Sequence, residues 1–233
     1  MTTRNLARVG GLLYLADAVV GGFSEYVRTS NTVSGDATAT ASNVAAHSTL
    51  FRVAFAADLA DLLLFLTVGI VLYTIFRPIS APVALAMLAL NALSIPIQAL
   101  NMLNHGAVIL LTTQSQFASI GSPALILFLL DLHRVGYLIA QIFFGSYLLP
   151  LGYLVYRSGY MPKVVGGVLM AGAAAYVAGV AFSFAAANLE SSVATYFGLA
   201  GGLAELTFLL WLLVRGIDGA DGRVARGALT WTS

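Results

Sequence analysis

Six long apolar segments decide what this chain can fold into. They run over 6–23, 51–76, 82–111, 135–156, 164–187 and 196–214, separated by turn-rich or charged breaks. A helix rises about 1.5 Å per residue, so roughly 17–25 residues cross a hydrocarbon core, and each segment is long enough. Composition agrees: the chain is 59% hydrophobic and 9% charged, with a mean hydropathy of +0.90, far from the roughly 25% charged mixture of soluble domains. The expected fold is an all-α polytopic bundle of six transmembrane helices in one domain over 1–233, with an outer loop at 29–48 and a short polar tail at 216–233. The first segment follows Arg4 and Arg8 as a signal peptide would. Asp17 interrupts its apolar run, however, and no small-residue cleavage site follows, so it is kept as a helix.

Charge sets the expected orientation. With a cytoplasmic N-terminus, Arg4, Arg8, Arg77, Arg157, Lys163, Arg215, Arg223 and Arg226 all fall inside, which leaves Arg28, Arg52 and Arg134 near the outer face. Both termini are therefore predicted to be cytoplasmic, in a bacterial inner or plasma membrane. A net charge of +1 supplies no basic surface for nucleic acid, and the absence of cysteine excludes disulfides and thiol nucleophiles. The outer loop is small and polar, with "SGDA" as a turn, and reads as a flexible connector. Gly167, Ala171, Ala175, Gly179, Ser183 and Ala187 recur every four residues and, with Gly198 and Gly202, predict close helix approach within one chain or between two, so oligomeric state stays open. Pro96 and Pro150 are expected to kink their helices. "LFRVAF" at 50–55 and "LHRVGY" at 132–137 match position by position as a faint internal repeat, each with an arginine about one bilayer crossing before the next inner one.

The polar residues sort into two layers when counted inward from the outer ends. A rim layer holds Glu25, Arg28, His47, Arg52, Asp131, His133 and Arg134, with Asn104 and His105 slightly deeper. A mid-membrane layer holds Asp17, Asp58, Asp61, Gln98, Asn101, Gln141 and Glu205, and contains no lysine, arginine or histidine. A carboxylate left charged at that depth costs at least about 2.5–3.5 kcal/mol, so the deep acids must carry a proton, find a cation or meet water, all of which point inward. Asp58 and Asp61 are three residues apart and share a helix face. Asn91, Ser94, Gln98, Asn101 and His105 alternate three- and four-residue steps, which lines them along one stripe facing the bundle interior. The rim arginines are expected to snorkel to headgroups or to pair with Glu25 and Asp131. His105, His133 and Asp131 lack a diagnostic ligand spacing, so no metal is assigned; no nucleophile elbow or phosphate-binding loop is present, and the cofactor is unknown.

These residues leave three functional expectations. The first is a small proton- or cation-coupled transporter or ligand-binding membrane protein, with the deep acids as ion site and the 91–105 stripe contacting a small molecule. A second is an intramembrane enzyme that uses a buried acid and a rim base on a lipophilic substrate such as an isoprenoid or lipid. The third is a structural or assembly protein, in which the polar groups serve only helix packing.

The stretches "ARVGGLLYLADAVVGGFSEYVR", "FRVAFAADLADLLL", "LDLHRVGYLIAQIFFGSYLLPLGYLVYRSGYMPK" and "AGGLAELTFLLWLLVRG" together resemble the bacterial membrane family called domain of unknown function 4386. The central block is the most specific, through the order of Asp131, His133, Gly136, Gly145, Gly152, Tyr153, Arg157, Ser158, Gly159 and Pro162. The resemblance implies a multi-pass bacterial membrane protein of about this size. It brings no activity, ligand or catalytic residue to carry over.

Overall fold

The computed structural model describes residues 2–185 and 192–217. The described residues form helices α1 (Thr3–Asn31), α2 (Ala37–Ala46), α3 (Ser48–Phe76), α4 (Ala81–Thr113), α5 (Pro123–Ser146), α6 (Leu148–Ser158), α7 (Lys163–Ala185) and α8 (Ser192–Val214), with a 3-10 turn at Ser115–Phe117 and no strand among them. Six helical stretches are long and apolar enough to cross a membrane: α1, α3, α4, the α5–α6 run, α7 and α8. The chain is a multi-pass membrane protein. Its outward faces carry large apolar side chains, such as Leu63, Leu100 and Leu103, while Asn91, Ser94, Asn101 and His105 of the α4 stripe are buried. This is the inverse of a soluble helix and matches the inward stripe expected from the spacing. Arg223, Arg226, Ala187 and most of the polar tail lie outside the described residues.

The chain divides into two compact units, and α1, α3, α4 and α5 contribute residues to both. The first unit comprises Met1–Leu15, Phe65–Ser94 and Gln141–Ser233; the second comprises Ala16–Leu64 and Ile95–Ala140.

In the first unit α6 packs on α7 and α7 on α8. Backbone approach explains the α6–α7 contact: a Cβ added to Gly152 would lie 2.6 Å from the Gly166 carbonyl, and one added to Gly166 2.6 Å from the Gly152 carbonyl. A Cβ at Gly172 would meet Ala204 at 2.6 Å, and one at Gly179 would meet Phe197 at 3.0 Å. The four-residue ladder is thus corrected. Gly167 and Gly198 face open space, and the packed glycines are Gly166, Gly172, Gly179 and Gly201. With 3.6 residues per turn a strict four-residue step drifts about 40° each time, so such a ladder winds off the interface within a few turns. The α5–α6 run breaks at Tyr147, just after Ser146, the residue whose carbonyl the Pro150 ring crowds and whose hydrogen bond it removes. α4, by contrast, continues through Pro96.

In the second unit Val27, Val44, Phe51, Ala54, Val108, Ile126 and Leu130 form one apolar core. The segment expected to be a flexible connector is instead mostly helix. After a turn with Gly35 at φ 72°, Asp36 caps α2 by accepting from the Ala39 N–H at 2.9 Å. Val44 and Thr40 are fully buried, and the Thr40 hydroxyl bonds both the N–H and the carbonyl of Val33. An alanine-rich stretch with one cap and one buried valine is enough to hold a short helix once a core receives it. α5 begins at Pro123, with the Ser122 hydroxyl accepting from the Leu125 N–H, and its first turns pack Ile126 and Leu130 into the same core.

Candidate functional site

Each unit contains a buried polar cluster. In the second unit, Arg28 sits near the end of α1, one turn after Glu25, and is only 8% exposed. Its Nη2 donates to Glu25 Oε2 at 2.9 Å, and its Nη1 donates to Asp58 Oδ2 on α3. The deep layer was expected to have no basic partner; for Asp58 that expectation fails. Counting residues inward ignores side-chain length, and the long arginine reaches from the rim down to the acid. Of the two rim roles expected, Arg28 takes the pairing with Glu25 rather than a headgroup contact, and its guanidinium is held by these two acids.

His105 on α4 completes this group. Its Nε2 lies 3.1 Å from the Phe51 carbonyl and therefore carries a hydrogen, which turns Nδ1 toward Asp58 Oδ2 at 3.6 Å and Arg28 Nη1 at 3.5 Å. The rings of Phe51 and Phe55 meet His105 edge-on at 4.6 and 5.5 Å. Beside it, α4 and α5 clasp each other reciprocally: Asn101 Nδ2 donates to the His133 carbonyl at 2.7 Å, and His133 Nδ1 donates to the Asn101 carbonyl at 3.3 Å. Asn104 donates to Asn101 Oδ1 at 3.0 Å. The clasp requires Gly136, because a Cβ there would overlap the Asn101 amide.

One turn deeper on α3, the Asp61 carboxyl faces that of Asp17 on α1. Gly21, one turn beyond Asp17, lets α1 approach this pair, since a Cβ there would lie 2.8 Å from Asp61 Oδ1. Ser24, a further turn along, donates to the Ala54 carbonyl at 2.7 Å and fixes the α1–α3 register. Gln98 is half-buried in this unit; Arg52 and Asp131 are exposed, and Arg134 is partly buried. His47 is exposed and bonds Asn31 Oδ1 through Nδ1 at 2.8 Å.

In the first unit, Glu205 on α8 is surrounded by three phenols that sequence reasoning did not single out. Tyr14 of α1 donates to Oε1, Tyr147 at the α5–α6 break contacts Oε1 at 3.1 Å, and Tyr176 of α7 donates to Oε2 at 2.8 Å. The Tyr14 and Tyr147 hydroxyls also bond each other. Glycines deliver these rings. A Cβ at Gly145 would lie 2.7 Å from Tyr176 Cβ, and one at Gly201 would lie 2.6 Å from the Tyr176 ring, so that side chain passes between two notches. Gly11 brings α1 against the Leu213 backbone, one turn before Tyr14. The legible signal was a tyrosine in mid-helix, whose hydroxyl needs a buried partner, paired with glycines on facing helices. Gln141 is buried in this unit, as is Asn91, whose Nδ2 donates to the Phe65 carbonyl at 3.2 Å.

The structure thus brings together Glu25, Arg28, Asp58 and His105, then Asn101, Asn104 and His133, and then Asp17 and Asp61, all in the second unit, while Glu205 belongs to the first. Among the described residues no group of three or more His, Asp or Glu side chains is arranged to hold a metal ion.

Known proteins place the chain without adding a reaction. An uncharacterized protein of Archaeoglobus fulgidus is 36% identical over 78 residues, covering 34% of this chain and 44% of that relative, less than half its length. No solved structure matches. Residues 9–216 match the family model described as "Domain of unknown function (DUF4386)", and the chain belongs to that family.

Proposed function

We propose that the protein is a small proton-coupled transporter or ligand-binding protein of the cell membrane, with the Asp17–Asp61 pair as the proton site. One observation carries this reading: two carboxyl groups on different helices, Asp17 and Asp61, face each other at a point where Gly21 lets α1 approach α3. Ionised carboxylates only accept hydrogen bonds and repel each other, so two facing carboxyls are joined when one of them carries a proton. Arg28 is held by Glu25 and Asp58, and a proton shared between Asp17 and Asp61 neutralises one charge of the deeper pair in this reading. Removing that proton sets two like charges side by side on α1 and α3, and relief requires the helices to part or another cation to enter. Such a displacement is what couples ion occupancy to solute access in a transporter.

The enzymatic alternative needs a free base near the buried acid. His133 donates through Nδ1 to the Asn101 carbonyl, His105 donates through Nε2 to the Phe51 carbonyl beside the Arg28–Asp58 pair, and Asp131 is exposed. This arrangement favours ion coupling.

The test is proton movement in proteoliposomes that trap a pH-sensitive dye, challenged with a library of small cationic and neutral solutes. Wild-type protein is expected to show internal pH changes that depend on a solute, and Asp61→Asn is expected to insert normally and lose them. Solute-dependent pH changes of equal size in Asp61→Asn overturn the proposal.

A further inference from the structure

We infer that Glu205 and its three tyrosines form a second proton-binding site, one that holds a proton on the glutamate in the resting protein. Four hydrogen-bond contacts join the four groups: Tyr14 to Glu205, Tyr147 to Glu205, Tyr176 to Glu205, and Tyr14 to Tyr147. Each phenol owns one hydrogen, so three phenols supply three hydrogens. With an ionised glutamate, one of the four contacts is an oxygen facing an oxygen with no hydrogen between them. A proton on Oε1 removes the deficit. Glu205, Tyr14 and Tyr147 then form a closed ring in which each donates once and accepts once, and Tyr176 donates to the remaining carbonyl oxygen.

The surroundings argue the same way. Each phenol ring is flanked by a phenylalanine edge: Phe208 beside Tyr14 at 6.5 Å, Phe65 beside Tyr147 at 5.4 Å and Phe144 beside Tyr176 at 5.9 Å. Among the described residues the titratable groups facing Glu205 come from α1, the α5–α6 break and α7, and all three are these phenols, so the hydrogen bonds are answered by neutral partners beside apolar rings. Hydroxyls alone can hold a carboxylate, but here they are also committed to each other. The site takes a proton, and its loss breaks a contact of Tyr14 or Tyr147, which links proton occupancy to the seating of α1 and of the α5–α6 break on α8.

This inference stands apart from the Asp17–Asp61 reading, because the reporting carboxyl is a glutamate. Infrared spectra of the full chain in lipid, unlabelled and with carboxyl-13C glutamate, separate the two. The expected result at neutral pH is a protonated-carboxyl C=O band that shifts on glutamate labelling and is lost in Glu205→Gln. The sequence holds three glutamates, Glu25, Glu190 and Glu205, so a labelled Glu25→Gln/Glu190→Gln variant retains the band from Glu205 alone and serves where Glu205→Gln does not fold. Absence of any glutamate-labelled protonated band at neutral pH overturns the inference, as does a labelled band that persists in Glu205→Gln.

Discussion

The second unit meets Asp58 with an arginine, whereas the first meets Glu205 with hydroxyls. Both acids sit in apolar helices, where an uncompensated charge is costly. An ion pair solves the problem by Coulomb attraction and commits Arg28, Asp58 and His105 to fixed positions on α1, α3 and α4. Hydroxyls and a proton solve it by hydrogen bonding, and that solution is reversible because the proton can leave. The Asp17–Asp61 pair lies in the same unit as the ion pair, and in the proposed reading it uses the second solution. The contrast teaches that the fixed charge holds the frame while the proton-bearing carboxyls are the parts able to change state.

The largest expected effect breaks the charged side of this comparison. Arg28→Gln strands a buried Asp58 and should destabilise the protein by about 3–5 kcal/mol, read as a lower thermal midpoint in detergent, while Arg28→Gln/Asp58→Asn should recover much of that loss. A double variant as unstable as the single one would remove the ion pair as the cause. Next comes Gly201→Ala, whose Cβ would press 2.6 Å from the Tyr176 ring; overpacking of this kind costs about 1–3 kcal/mol in the same assay. Tyr176→Phe sharpens the hydroxyl side. Loss of one bond to a neutral acid should cost about 0.5–1.5 kcal/mol, and a cost of about 1.5–3 kcal/mol would instead mark a charged Glu205. The smallest change is Gly167→Ala, where the added methyl meets nothing within 4 Å, so helix propensity alone should leave stability unchanged or raised by up to about 1 kcal/mol.

The fold was legible because membrane crossing imposes length and polarity on every span, and all six apolar segments appear as helices. Periodicity also carried the α4 stripe: Asn91, Ser94, Asn101 and His105 are buried as their spacing requires. What escaped the sequence depended on partners remote in the chain. Depth counting put Arg28 at the rim, but its guanidinium ends on Asp58, thirty residues away. Glu205 read as an acid without partners because phenols carry no charge, and Tyr14 lies 191 residues before it. Strict four-residue spacing found Gly179 and Ser183 on α7 but took Gly167 in place of Gly166 and missed Gly172, since an interface follows 3.6 residues per turn. The connector at 29–48 looked polar and mobile, and only a core that accepts Val44 makes it the helix α2.

The central claim is that Asp17 and Asp61 share one exchangeable proton, and infrared spectroscopy with carboxyl-13C aspartate tests it most directly. At neutral pH the account predicts a protonated-carboxyl band that shifts with aspartate labelling, moves on transfer to heavy water, and disappears in both Asp17→Asn and Asp61→Asn while remaining in Asp58→Asn. A spectrum with no protonated aspartate at neutral pH, or a band that survives both Asp17→Asn and Asp61→Asn, would contradict it.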